Sequence, residues 1–190
     1  MKYDSIVITG HQRTGTHYIA AVICTNFLNT KDYIAHYKNH SLPKTVKNNN
    51  IAYIYTWRDF NSVAKSLFNS RKTFGLNNVN NFESFLKSRY CDMWNPIEHA
   101  GVNVLDLQGN HRLDNYISHY FKSFKHTPEE WWTLYHKKWD VASKNKSNVI
   151  KVSYNDLINN FDNSMFNLSI KLDSTTKSFK NITDTVGWYV

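Results

Sequence analysis

Cysteine is almost missing: Cys24 and Cys91 are the only two among 190 residues. They lie in unrelated contexts, without Cys-x-x-Cys spacing or a nearby histidine pair, so neither a disulfide framework nor a metal site is expected. Six glycines and three prolines are too few for a collagen-like or low-complexity chain. Long apolar runs are lacking too. The stretch Ser5–Gly10 near the start turns polar too soon for a secretory signal or a membrane span. A soluble, cytoplasmic protein with no membrane partner is therefore expected. Acidic residues are the minority charge, 15 Asp and Glu against 23 Lys and Arg, and the resulting positive field favours anionic ligands: nucleotides, sulfated products or nucleic acid.

What the chain does have is core-forming material. It is 41% hydrophobic and 15% aromatic, enough to build one domain over residues 1–190 with a buried sheet. Ser5–Thr9 is a short β-branched run closed by Gly10, and Tyr18–Leu28 has the length of a helix. Asp32–His40 alternates loosely like a strand, and Ile51–Trp57 is apolar throughout, as in a strand covered on both faces. Val63, Ala64, Leu67 and Phe68 recur at helical spacing. Thr127-Pro-Glu-Glu130 is a capping box with Pro at the first helical position, predicting a helix whose Trp132, Tyr135, His136 and Trp139 share one face. Val149–Tyr154 reads as a further strand, and Leu157, Ile158, Phe161, Met165 and Leu168 as one final helix. Residues 74–125 carry no clear pattern. Alternating strands and helices predict a three-layer α/β fold, a mostly parallel sheet flanked by helices.

Between the first strand and the first helix lies Gly10-His-Gln-Arg-Thr-Gly-Thr-His17. A loop so placed offers backbone N–H groups and the positive end of a helix to an anion. Gly10 and Gly15 have the spacing of an NTPase phosphate loop, but Thr16 and His17 stand where that loop has Lys and Ser or Thr. A cation, Arg13, sits inside the loop instead, directly before Thr14-Gly15-Thr16. This arrangement resembles the 5′-phosphosulfate loop of sulfotransferases, whose donor is 3′-phosphoadenosine 5′-phosphosulfate (PAPS) and whose fold is P-loop-like. The resemblance implies that Arg13 contacts the oxygen bridging phosphate and sulfate. It also implies that Thr14, Gly15, Thr16 and His17 form the 5′-phosphate cradle and that Tyr18, where cytosolic members often have Trp, adds stacking.

A second segment agrees with the first. Ile51–Trp57 delivers Arg58 at its carboxyl end, with Ser66 eight residues later on the following helix, the edge where α/β sheets bind ligands. Tyr55-Thr-Trp-Arg-Asp-Phe-Asn-Ser-Val-Ala-Lys-Ser66 resembles the family's 3′-phosphate segment, in which Arg and Ser share that group; Phe60 stands where Pro is common. Asn148–Leu157 resembles the family's late strand, which implies Tyr154 beside the adenosine. The basic loop that closes over the 3′-phosphate in larger members has no clear counterpart, and Lys180 is its candidate substitute.

Sulfuryl transfer needs a group to take the acceptor proton. Lys38-Asn39-His40 resembles the family's Lys-Thr-His element, which implies that His40 is the general base; His36, on the same face of that strand, is the alternative, and His17, directly after the loop, is expected near the sulfate. The implied reaction is one in-line displacement yielding adenosine 3′,5′-bisphosphate without a metal. The implied acceptor is a hydroxyl or amine of a small molecule or carbohydrate, with no nucleic-acid partner. The rival readings are a P-loop kinase or NTPase and a non-catalytic basic protein that binds nucleotides or nucleic acid.

Overall fold

The computed structural model describes residues 1–28, 38–40, 42–43, 46, 48–94 and 122–182. It divides into two compact units, Met1–Arg58 with Lys138–Val190, and Asp59–Lys137.

The first unit holds a parallel four-stranded sheet: β1 (Ser5–Gly10), β2 (Lys38–Asn39), β3 (Ile51–Trp57) and β4 (Val149–Ser153), in spatial order β2-β1-β3-β4. β1 and β3 pair from Ser5 opposite Ile51 to Gly10 opposite Thr56, so both strands release their chains at the same edge. Such crossover-connected strands need cover on both faces. On one face Ile6, Ile8, Ala52, Ile54 and Ile150 pack with Ile19, Val22 and Ile23 of helix α1 (Thr16–Ile23). The same cluster takes in Leu157 and, farther on, Met165, Leu168 and Leu172. On the other face Tyr55 stacks on Trp139 with ring centres 5.6 Å apart. The fold is thus α/β, a parallel sheet flanked by helices, as the alternating pattern predicts.

In the second unit, α2 (Phe60–Asn69), α3 (Phe82–Lys87) and α4 (Tyr90–Met93) enclose an aromatic core in which Phe68 meets Phe82 and Phe85 at 5.5 and 5.6 Å. Asp59 caps α2 by accepting the Ser62 N–H at 2.8 Å, and Phe60 becomes its first helical residue. Helix α5 (Pro128–Asn145) opens with the predicted capping box: Thr127 N–H donates to Glu130 Oε2 at 2.9 Å, and Glu130 N–H to Thr127 Oγ1 at 3.3 Å.

Three details differ from the sequence expectation. The long helix over Tyr18–Leu28 starts earlier, at Thr16, and widens into a π-turn over Cys24–Leu28, where Asn26 Nδ2 bonds back to the Val22 carbonyl. The buried face of α5 also takes in Trp131, beside Tyr135, His136 and Trp139, whereas Trp132 is only half-buried and packs on His136 with ring centres 4.5 Å apart. The final helix is two, α6 (Tyr154–Asn159) and α7 (Phe161–Leu172), because Asn160 at φ −144° and ψ 57° interrupts the ladder and leaves Ile158 exposed. Of Asp32–His40, only Lys38–His40 belongs to the described residues. Among the described residues no helix is long and apolar enough to cross a membrane.

Candidate active site

β1 ends at Gly10 and α1 begins at Thr16, and the loop between them carries two residues in the left-handed region, Arg13 at φ 65° and Gly15 at φ 81°. For an L-residue such as Arg13 that conformation costs about 1–2 kcal/mol. Alternating right- and left-handed residues gather successive N–H groups into a concave anion site, and α1 has Gly15 as its N-cap with no side-chain cap. An anion is therefore favoured here by backbone dipoles and by the helix end together.

Thr14 shapes this loop from inside. Its hydroxyl donates to the His11 carbonyl at 2.6 Å, and its N–H reaches the same oxygen at 3.3 Å. The hydroxyl has one proton, so at its 2.7 Å contact with Thr56 Oγ1 it is the acceptor and Thr56 the donor. Both threonines are fully buried. Gly10 is obligatory at its position, since a Cβ there would collide with Thr56 Oγ1 and press on Thr14 Oγ1 at 2.7 Å.

The end of β3 comes to the same loop. Arg58 Nη1 donates to the Arg13 carbonyl at 3.3 Å, and its guanidinium lies 4.7 Å from the centre of the Tyr154 ring. Tyr154 is placed by its own local sequence. β4 stops at Ser153, whose hydroxyl accepts the Asp156 N–H at 3.2 Å and caps α6, making Tyr154 the first helical residue beyond the strand. Its ring rests on the α-carbon of Gly15, where a Cβ would collide with it. Tyr18 meets Tyr154 edge to face at 6.0 Å. Burial, the neighbouring Tyr154 and the bond to Asn181 act on the Tyr18 phenol, with a net rise in its pKa.

The carboxyl-terminal segment also reaches this cluster. Asn26 grips the Lys180 backbone twice, donating to its carbonyl at 2.9 Å and accepting its N–H at 2.7 Å. Next to it, Asn181 Oδ1 accepts the Tyr18 hydroxyl at 2.7 Å. Lys180 is exposed on that anchored stretch.

His40 is buried beside the loop, with Nδ1 2.7 Å from the Gly10 carbonyl. A ring nitrogen facing a carbonyl must carry the proton, so in neutral His40 the proton acceptor is Nε2. His11 follows the same logic, its Nδ1 donating to the Gln12 carbonyl at 2.9 Å. Burial lowers its pKa to about 4, so it is neutral and weakly basic near pH 7.

Residues 25–170 match the family described as the sulfotransferase domain. The chain belongs to the sulfotransferase family. No curated protein matches it. The matched span includes Arg58, Ser66 and Tyr154 and begins after the glycine loop, which lies outside it.

Of the site residues expected from sequence, this sulfotransferase-family chain brings Arg13, Thr14, Gly15, Thr16, His17, Tyr18, Arg58, Tyr154 and His40 to one edge of its first unit, with Lys180 on the anchored segment. Ser66 lies on α2 in the second unit. His36 falls outside the described residues. Sequence reasoning missed Thr56, whose only signal was its place opposite Gly10 in the strand register, and Asn26 and Asn181, which resemble ordinary loop asparagines until the fold brings them together.

Proposed function

We propose that this protein transfers a sulfuryl group from PAPS to a hydroxyl or amine of a small molecule or carbohydrate by in-line displacement. The observation that supports the reading is the contact of Arg58 Nη1 with the Arg13 carbonyl at 3.3 Å, which brings the cationic end of β3 against the anion-binding loop. Arg13 with the N–H groups of Gly15, Thr16 and His17 holds the 5′-phosphosulfate, and Arg58, with Lys180, holds the 3′-phosphate. Tyr18 and Tyr154 supply aromatic surface for the base. The donor contributes an activated sulfuryl group and a phosphate that leaves as adenosine 3′,5′-bisphosphate.

The protein's own residues do the rest. His40 Nε2 takes the proton from the acceptor as the new sulfur–oxygen or sulfur–nitrogen bond forms. Arg13 and the loop amides neutralise charge growing on the oxygen of the breaking sulfur–oxygen bond. The strained left-handed Arg13 supports this role, since such conformations persist where surrounding structure enforces them for a purpose.

The test is incubation with labelled PAPS and a mixture of alcohols, phenols, amines and glycans. Label should pass to an acceptor with the wild type and not with Arg13→Ala, both proteins showing the same circular dichroism. Equal transfer by Arg13→Ala would refute the assignment.

A further inference from the structure

One hydroxyl is placed to hold the two phosphate arms in register. Thr56 is fully buried on β3, opposite Gly10 in the ladder and two residues before Arg58. Its Oγ1 covers the Gly10 α-carbon at the start of the loop and donates to Thr14 Oγ1 at 2.7 Å in its middle. Thr14 Oγ1 in turn donates its hydrogen bond to the His11 carbonyl at 2.6 Å. The chain Thr56, Thr14, His11 carbonyl thus ties the turn containing left-handed Arg13 to the strand that ends at Arg58.

From this geometry we infer that Thr56 is a positioning residue of the donor site, setting the offset between Arg13 and Arg58 and so the preference for a nucleotide with two phosphates. The inference rests on the proposed donor site. Thr56 touches no ligand in this role; it acts through Thr14 and the loop backbone. Without the Thr56 proton, Thr14 Oγ1 keeps its bond to His11 but loses its tether to β3, and a buried acceptor is left without its donor. The loop then drifts relative to Arg58, which weakens a ligand bridging both arms more than one gripping a single arm.

The experiment compares wild type with Thr56→Val, which keeps the shape and removes the hydroxyl, and Thr56→Ser, which keeps the hydroxyl. Affinities for adenosine 3′,5′-bisphosphate and adenosine 5′-monophosphate are measured by calorimetry, and amide hydrogen exchange over residues 11–16 is followed without ligand. The ratio of the two affinities should fall about tenfold in Thr56→Val and return to within about twofold of wild type in Thr56→Ser. Exchange over the loop should quicken only in Thr56→Val. Should that variant not fold, Thr56→Ala is put to the same comparison. An unchanged ratio and unchanged loop exchange overturn the inference. A wild type that does not prefer the bisphosphate, combined with faster loop exchange in Thr56→Val, overturns the donor reading and leaves the positioning of the loop by Thr56 standing.

Discussion

Arg58 and Arg13, 45 positions apart in the chain, meet where the Arg58 guanidinium donates to the Arg13 carbonyl at 3.3 Å. Two guanidinium-bearing residues come this close at little cost because the contact is to backbone oxygen, and because the Tyr154 ring lies 4.7 Å from the Arg58 charge. On the proposed donor reading, a nucleotide carrying two phosphates would supply the opposing charge.

Gly15 is irreplaceable on two counts. Its φ of 81° disfavours any side chain, and the Tyr154 ring fills the space a Cβ would need. Gly15→Ala should lower unfolding stability by about 1–3 kcal/mol and abolish stabilisation by adenosine 3′,5′-bisphosphate. Urea unfolding with and without that ligand measures both, and a variant retaining full stability and binding would contradict the described contact.

Buried His11 makes the protein acid-sensitive in a defined window. Its pKa falls from 6.5 unfolded to about 4 folded because burial disfavours the charged ring. Between those values the unfolded chain binds the proton and the folded chain does not, so stability drops as pH falls from about 6.5 towards 4. The full effect is on the order of 3 kcal/mol. His11→Asn should flatten the decline of the melting temperature across that window, and an unchanged slope would rule out His11 as its source.

His40→Ala should reduce turnover by a factor of about 10² to 10⁴, the usual worth of a positioned general base. Binding of adenosine 3′,5′-bisphosphate, measured by calorimetry, should stay within a few-fold of wild type. Loss of both together would make His40 a support of the loop through its bond to the Gly10 carbonyl.

The parallel sheet was readable because β1 and β3 are short, β-branched or apolar runs bounded by Gly10 and Arg58. The loop was readable because glycine spacing and a basic residue leave a local signature. What the sequence hid depends on long-range pairing. Thr56 matters only because strand register sets it against Gly10. Asn181 matters only because Asn26 fastens Lys180 from 154 positions away. The split of the final helix turned on a single residue, Asn160, whose backbone at φ −144° and ψ 57° leaves the helical region, while the apolar periodicity ran on past it.

The most direct test is thermal unfolding with adenosine 3′,5′-bisphosphate in the presence of a magnesium chelator, for the wild type, Arg13→Ala and Arg58→Ala. With ligand at about a hundred times its dissociation constant, the wild type should gain about 3 kcal/mol of stability, and each variant should lose most of that gain. Equal stabilisation of all three proteins, or stabilisation of the wild type by ATP with magnesium but not by the bisphosphate, would contradict the convergence of the two arginines on one nucleotide.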